Sequence, residues 1–88
     1  MKVEYRESFD KDLRACRDAK LARQIKKLIM KLESARALAD IPNTKKLAGG
    51  SEFYRVRIGD YRVGLIAIRN EITLVRLLHR KEIYRYFP

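Results

Sequence analysis

The sequence is short of almost everything that would anchor a fold covalently or through a metal. Its one cysteine, Cys16, cannot form an internal disulfide, and with a single histidine, His79, no Cys/His cluster has zinc-ligand spacing. Disulfide and structural-metal frameworks are excluded, and no metal or other cofactor is expected. Tryptophan is absent, and two prolines and four glycines leave little material for a flexible linker. No apolar run approaches the roughly 20 residues that cross a bilayer. The opening MKVEYRESFDKDLR lacks the apolar stretch of a secretory signal. A soluble cytoplasmic protein that does not use a membrane is expected. Acidic residues are also scarce: 11 Asp and Glu stand against 21 Lys and Arg, a formal charge of +10. On so small a body that excess attracts polyanions over a Debye length, so nucleic acid is the first candidate partner and an acidic protein the second.

What is present suffices for a folded domain. A hydrophobic fraction of 47% is ordinary for a globular chain, and 88 residues make one domain, 1–88, with one modest core. Residues 2–7 alternate, Val3 and Tyr5 against Lys2, Glu4 and Arg6, which is the period of a half-buried strand. Ser8 is placed to cap a first helix with Asp10 in its first turn and Phe9, Leu13 and Cys16 at helical spacing, which makes Cys16 a small core residue. Asp18 is placed to cap a second helix, where Leu21, Ile25, Leu28, Ile29 and Leu32 form one apolar stripe. Its other face carries Lys20, Arg23, Lys26, Lys27 and Lys31, read first as a solvated surface.

After Ser34 the periodicity fades, and Pro42, Asn43 and Gly49-Gly50 mark a loop. Three strands are predicted beyond it, Phe53–Ile58, Tyr61–Arg69 and Ile72–His79, joined by tight turns at Gly59-Asp60 and near Asn70. The predicted fold is α+β: an N-terminal strand, a two-helix hairpin, then a three-stranded antiparallel meander, with the helices packed on one face of a four-stranded sheet.

Seven of the eight basic residues after Gly50 are arginine, whose planar fork matches phosphate bidentately. In FYRVRI, alternation sends Tyr54, Val56 and Ile58 one way and Arg55 and Arg57 the other. A hairpin at Gly59-Asp60 brings Arg62 near Arg57. Side-by-side arginines repel, so a fold tolerates them where an anion is expected, unless Asp60 or Glu52 neutralises one. ITLVRLLH is nearly continuous in apolar residues, as for a central strand covered on both faces, and its parity stays unassigned. At its end His79, Arg80 and Tyr84 cluster, and histidine is suited to proton transfer at neutral pH.

KKLAGG, YRVRIGDYRVG and HRKEIYRY together resemble the RelE/ParE superfamily of bacterial type II toxins, in length and element order as well as motif. The resemblance implies a small, acidic antitoxin partner in a hetero-oligomer. For the RelE-like branch it implies an open sheet face that binds mRNA in the ribosomal A site and cleaves it without a metal. It places Arg62, His79, Arg80 and Tyr84 at catalytic positions and Lys45, Lys46, Arg55 and Arg57 at RNA- or phosphate-binding ones. Where some RelE toxins carry lysines this chain has Arg55 and Arg57. Arginine is too basic to accept the proton, which leaves His79, Glu52 or Glu82 as the base. The ParE branch shares the fold and inhibits DNA gyrase. A non-catalytic double-stranded RNA-binding module is a further alternative, but it ends in a basic helix after its sheet, which the short KEIYRYFP tail does not predict.

Overall fold

The computed structural model describes residues 1–88. In chain order it contains β1 (Lys2–Tyr5), α1 (Glu7–Cys16), α2 (Ala19–Ser34), a 3-10 turn (Leu38–Asp40), β2 (Thr44–Lys46), β3 (Phe53–Ile58), β4 (Tyr61–Ile68), β5 (Glu71–His79) and α3 (Ile83–Tyr86). The sheet order is β1-β5-β4-β3-β2, with β1 parallel to β5 and every other pairing antiparallel. The α+β class is as the sequence predicts. Two details differ: the sheet has five strands because Thr44–Lys46 pairs with β3, and one helical turn follows the sheet.

The second helix forms as its pattern dictates. Asp18 Oδ1 accepts a hydrogen bond from the Leu21 N–H at 3.1 Å, satisfying one orphan donor, and Leu21, Ile25, Leu28 and Leu32 are buried. Each such side chain gains about 1.5–3 kcal/mol by leaving water. They meet Phe9 of α1 and Val56, Val63, Leu65, Ile72, Leu74 and Leu77 of the sheet in the main core.

Helix α1 departs from expectation at its start. It begins at Glu7, after Arg6, with no side-chain cap, and the Ser8 hydroxyl instead donates to the Val75 carbonyl at 2.6 Å. The reason lies in β5. Strand β1 pairs with it only from Glu71 to Leu74, so the rest of that edge would show unpaired backbone groups. The start of α1 covers it: the Arg6 N–H donates to the Leu74 carbonyl at 2.9 Å, Ser8 takes Val75, and Asp12 Oδ2 accepts from the Leu77 N–H at 2.9 Å. Asp12 also grips Arg76 through two bonds, Nε to Oδ2 at 2.8 Å and Nη2 to Oδ1 at 3.2 Å, which hold the guanidinium above its ordinary pKa. Asp12→Ala would strand a half-buried cation and a backbone N–H together. We expect a loss of about 2–3 kcal/mol in denaturant unfolding. Asp12→Asn, whose carbonyl oxygen can still accept from Leu77, should recover roughly half of that.

Strand β5 is covered on both faces. Its register with β4 jumps from Gly64↔Arg76 to Leu65↔Leu74, so Val75 is an extra residue, and the bulge turns it away from the helices. Val75 there joins Leu47, Ile83 and Phe87 in a second small core, flanked by Phe53, Ile66 and Leu78. The face opposite the helices is therefore closed at one end by the C-terminal segment and open at the other.

Candidate phosphate-binding site

Gly59 adopts φ +57° and opens the turn that makes Arg57 and Arg62 direct cross-strand partners on the open face. Arg55 lies two residues back along β3 on the same face. The loop before β2 fixes two of these side chains. Asn43 sits in the left-handed region at φ +65°, where asparagine is tolerated, and its carbonyl accepts from the Arg57 N–H at 3.0 Å and from Arg55 Nη1 at 2.9 Å. Its side-chain Oδ1 takes Arg57 Nη2 at 3.2 Å. Arg62 Nη1 spans the Gly59 and Tyr61 carbonyls at 2.9 and 3.0 Å, leaving its other nitrogens for a ligand. Burial, followed by the guanidiniums of Arg55, Arg57 and Arg80, holds Arg62 below its ordinary pKa, with Tyr84 acting in the opposite direction.

None of Arg55, Arg57 and Arg62 forms an ion pair. Asp60 reaches only Arg80, at 4.0 Å, and Glu52 reaches none of them. Arg80 is held through its backbone, whose N–H donates to the Asp60 carbonyl at 2.7 Å and ties the end of β5 to the β3–β4 turn.

Tyr84 enters from α3. Ile83 and Phe87, four residues apart on one side of that turn, are buried in the second core, and the Phe87 ring meets Phe53 edge-on at 5.8 Å. Phe87 lies directly over Gly64, where an added Cβ would come within 2.6 Å of the ring. Clamped in this way, α3 leaves Tyr84 exposed, with its hydroxyl accepting from Arg55 Nε at 3.3 Å.

The residues singled out from the sequence divide between the two faces. Lys45 pairs with Arg55 and shares its face, so the structure gathers Lys45, Arg55, Arg57, Arg62 and Tyr84, with Arg80 at the strand end. Lys46 pairs with Tyr54 and falls on the helix side. His79 pairs with Tyr61, packs edge-on against it at 5.7 Å on the helix side, and accepts the Lys81 N–H through Nδ1 at 3.2 Å. Behind Tyr61 lies Cys16, packed against the main core as expected. Burial first of all pushes its thiol pKa up, with Tyr61 acting in the opposite direction, which disfavours the reactive thiolate. No group of three His, Cys, Asp or Glu side chains could hold a metal, and no helix is long and apolar enough to cross a membrane.

Residues 3–84 match the family described as the ParE toxin of the type II toxin-antitoxin system, parDE. The chain is also 37% identical over 89 residues to Toxin RelE3 of Methanocaldococcus jannaschii, covering 100% of both. It belongs to the RelE/ParE superfamily. Within that superfamily it is a RelE-like type II toxin. Its backbone matches the toxin in the RelB-RelE antitoxin-toxin complex from Methanococcus jannaschii with a TM-score of 0.81 at 33% identity, over 97% of this chain and 99% of that one. The fold persists at low identity: the E. coli DinJ-YafQ complex gives a TM-score of 0.75 at 14%, over 94% and 96% of the two chains. Two residues that position this cluster, Asn43 and Gly64, do not stand out in the sequence as part of it. Asn43 carried a usable signal, since asparagine after proline in a loop often marks a left-handed residue. Gly64 in mid-strand marks close approach of another group.

Proposed function

We propose that this toxin is an mRNA interferase, a metal-independent endoribonuclease that cleaves mRNA in the ribosomal A site and so inhibits translation. The observation that carries this reading is the set of arginines without carboxylate partners around the Tyr84 hydroxyl. In the reaction the ribose 2′-oxygen attacks the adjacent phosphorus and loses its proton. The P–O5′ bond breaks, and the departing 5′-oxygen takes up a proton, leaving a 2′,3′-cyclic phosphate and a 5′-hydroxyl. Charge gathers on the non-bridging oxygens, where Arg55, Arg62 and Arg80 would supply preorganised donors, while Arg57 and Lys45 hold the flanking backbone. Tyr84, which faces the arginines, donates the proton that the departing 5′-oxygen takes up, the 2′-hydroxyl proton passes to solvent, and His79 shapes the strand end behind Tyr84. Tyr84→Phe should slow cleavage at least about 100-fold, within the usual range for losing an acid or base. His79→Asn, which keeps an acceptor for the Lys81 N–H, should stay within about tenfold of the parent, and the reverse ranking would assign the proton to His79.

Inhibition of DNA gyrase is the second reading, favoured by the match to the ParE family over residues 3–84. Primer extension on translated mRNA, run beside a gyrase supercoiling assay, separates the two. New RNA ends bearing 5′-hydroxyls support the nuclease, and lost supercoiling with intact mRNA overturns it. A small acidic antitoxin would hold the toxin in a hetero-oligomer, its carboxylates competing with RNA for the same cations.

A further inference from the structure

The arginine cluster does not end at the sheet edge. Strand β2 pairs with β3 only as far as Val56, and where it stops an open groove of about 280 Å³ runs between β3 and α2. Its rim carries Arg57 and Asn43 on one side and Lys27 and Lys31 on the other, over an apolar floor in which Pro42 and Ile58 present accessible surface above the buried Leu28 and Val56, and no acidic residue lines it. Arg57 and Asn43 thus belong to both the groove and the cluster. Along α2 the stripe Lys20, Gln24, Lys27 and Lys31 repeats at helical spacing, and none of its lysines has an ion-pair partner.

Resting on the nuclease reading, we propose that this groove is a second RNA subsite: single-stranded RNA leaving the arginine cluster turns over the β3 edge at Arg57 and runs along α2. One unstacked base lies against the apolar floor while Lys27 and Lys31 neutralise the phosphates beside it. Alternating cations with an apolar platform suit a flexible single strand rather than a duplex, whose bases are already stacked. Lys27 and Lys31 lie one turn apart, about 6 Å along the axis, and so address neighbouring positions on one strand.

The test compares binding of oligoribonucleotides of about 4 and about 12 nucleotides, 2′-O-methylated throughout to block the attacking oxygen, to the parent and to the Lys27→Gln/Lys31→Gln double variant over a range of salt. Both lysines are exposed, so the variant should melt with the parent. Losing two single-strand phosphate contacts should reduce the slope of log affinity against log salt by about 1.4 for the long oligonucleotide and leave the short one unchanged. Equal slopes for parent and variant on the long strand, or equal weakening at both lengths, would overturn the subsite. So would unchanged RNA binding with impaired capture of an acidic amphipathic peptide, which would make the groove a protein dock. A parent protein that binds neither oligonucleotide and cuts no translated mRNA would instead overturn the nuclease reading itself.

Discussion

Arg62→Ala is expected to lower single-turnover mRNA cleavage about 10²- to 10³-fold, the usual cost of removing one preorganised donor from a developing oxyanion, while leaving the protein at least as stable as the parent. The two halves of this expectation have one cause. Arg62 stands directly opposite Arg57 with no carboxylate near either, and like charges facing across strands are destabilising by about 0.2–1 kcal/mol. Set against that relief is the loss of its bonds to the Gly59 and Tyr61 carbonyls, which lie in a turn and can turn to water. Arg62→Lys should recover little activity, because an ammonium on a flexible stem cannot brace itself on two carbonyls and present a planar fork as well. Quench-flow cleavage together with thermal unfolding measures both effects. An alanine variant that cuts at the parental rate would remove Arg62 from the site, and one that unfolds would make it a structural residue.

The second large effect is expected at a residue without a side chain. Gly64→Ala places a methyl group within 2.6, 2.7 and 2.9 Å of three Phe87 ring atoms, and Phe53 and Ile83 pack on that ring's other sides. The ring has to leave, and α3 with it. Overpacking of this kind costs about 1–3 kcal/mol. The functional loss should exceed the loss of stability, since detaching α3 withdraws Tyr84 from Arg55 while the main core under α1 and α2 stays intact. The expected signature is a nearly unchanged far-UV circular dichroism spectrum with cleavage as low as in Tyr84→Phe. Phe87→Leu in the Gly64→Ala background should restore part of the activity, a coupling that independent sites would not show.

Legibility in the sequence followed the strength of each local signal. Helix α2 was readable because a cap and a continuous apolar stripe agree, and the face of Arg55 and Arg57 was readable because β3 alternates cleanly. The three residues of β2 have no period to detect, so Lys46 could not be given a face. Turn α3 is carried by Ile83 and Phe87 four residues apart, a pattern hidden among charged neighbours. Ser8 looked like a cap because nothing local shows that a carbonyl of β5, 67 residues away, claims its hydroxyl. His79 is the most instructive case. Counting alternate residues from Ile72 would put it on the open face, but the extra residue at Val75 reverses the parity of everything after it. A bulge set by tertiary packing thus moved the chain's one histidine to the far side of the sheet from the arginines.

The way α1 lies along β5 decides where this molecule can grow. A sheet recruits new strands only through free amides and carbonyls, and Arg6, Ser8 and Asp12 have taken those on the half of β5 that β1 leaves bare. The borders that remain are the four residues of β1, flanked by the charges of Lys2 and Glu4, and the three residues of β2, two of them lysine. Both are too short and too charged to template a second copy of the chain. Edge-to-edge strand pairing between copies is therefore disfavoured at both borders of the sheet.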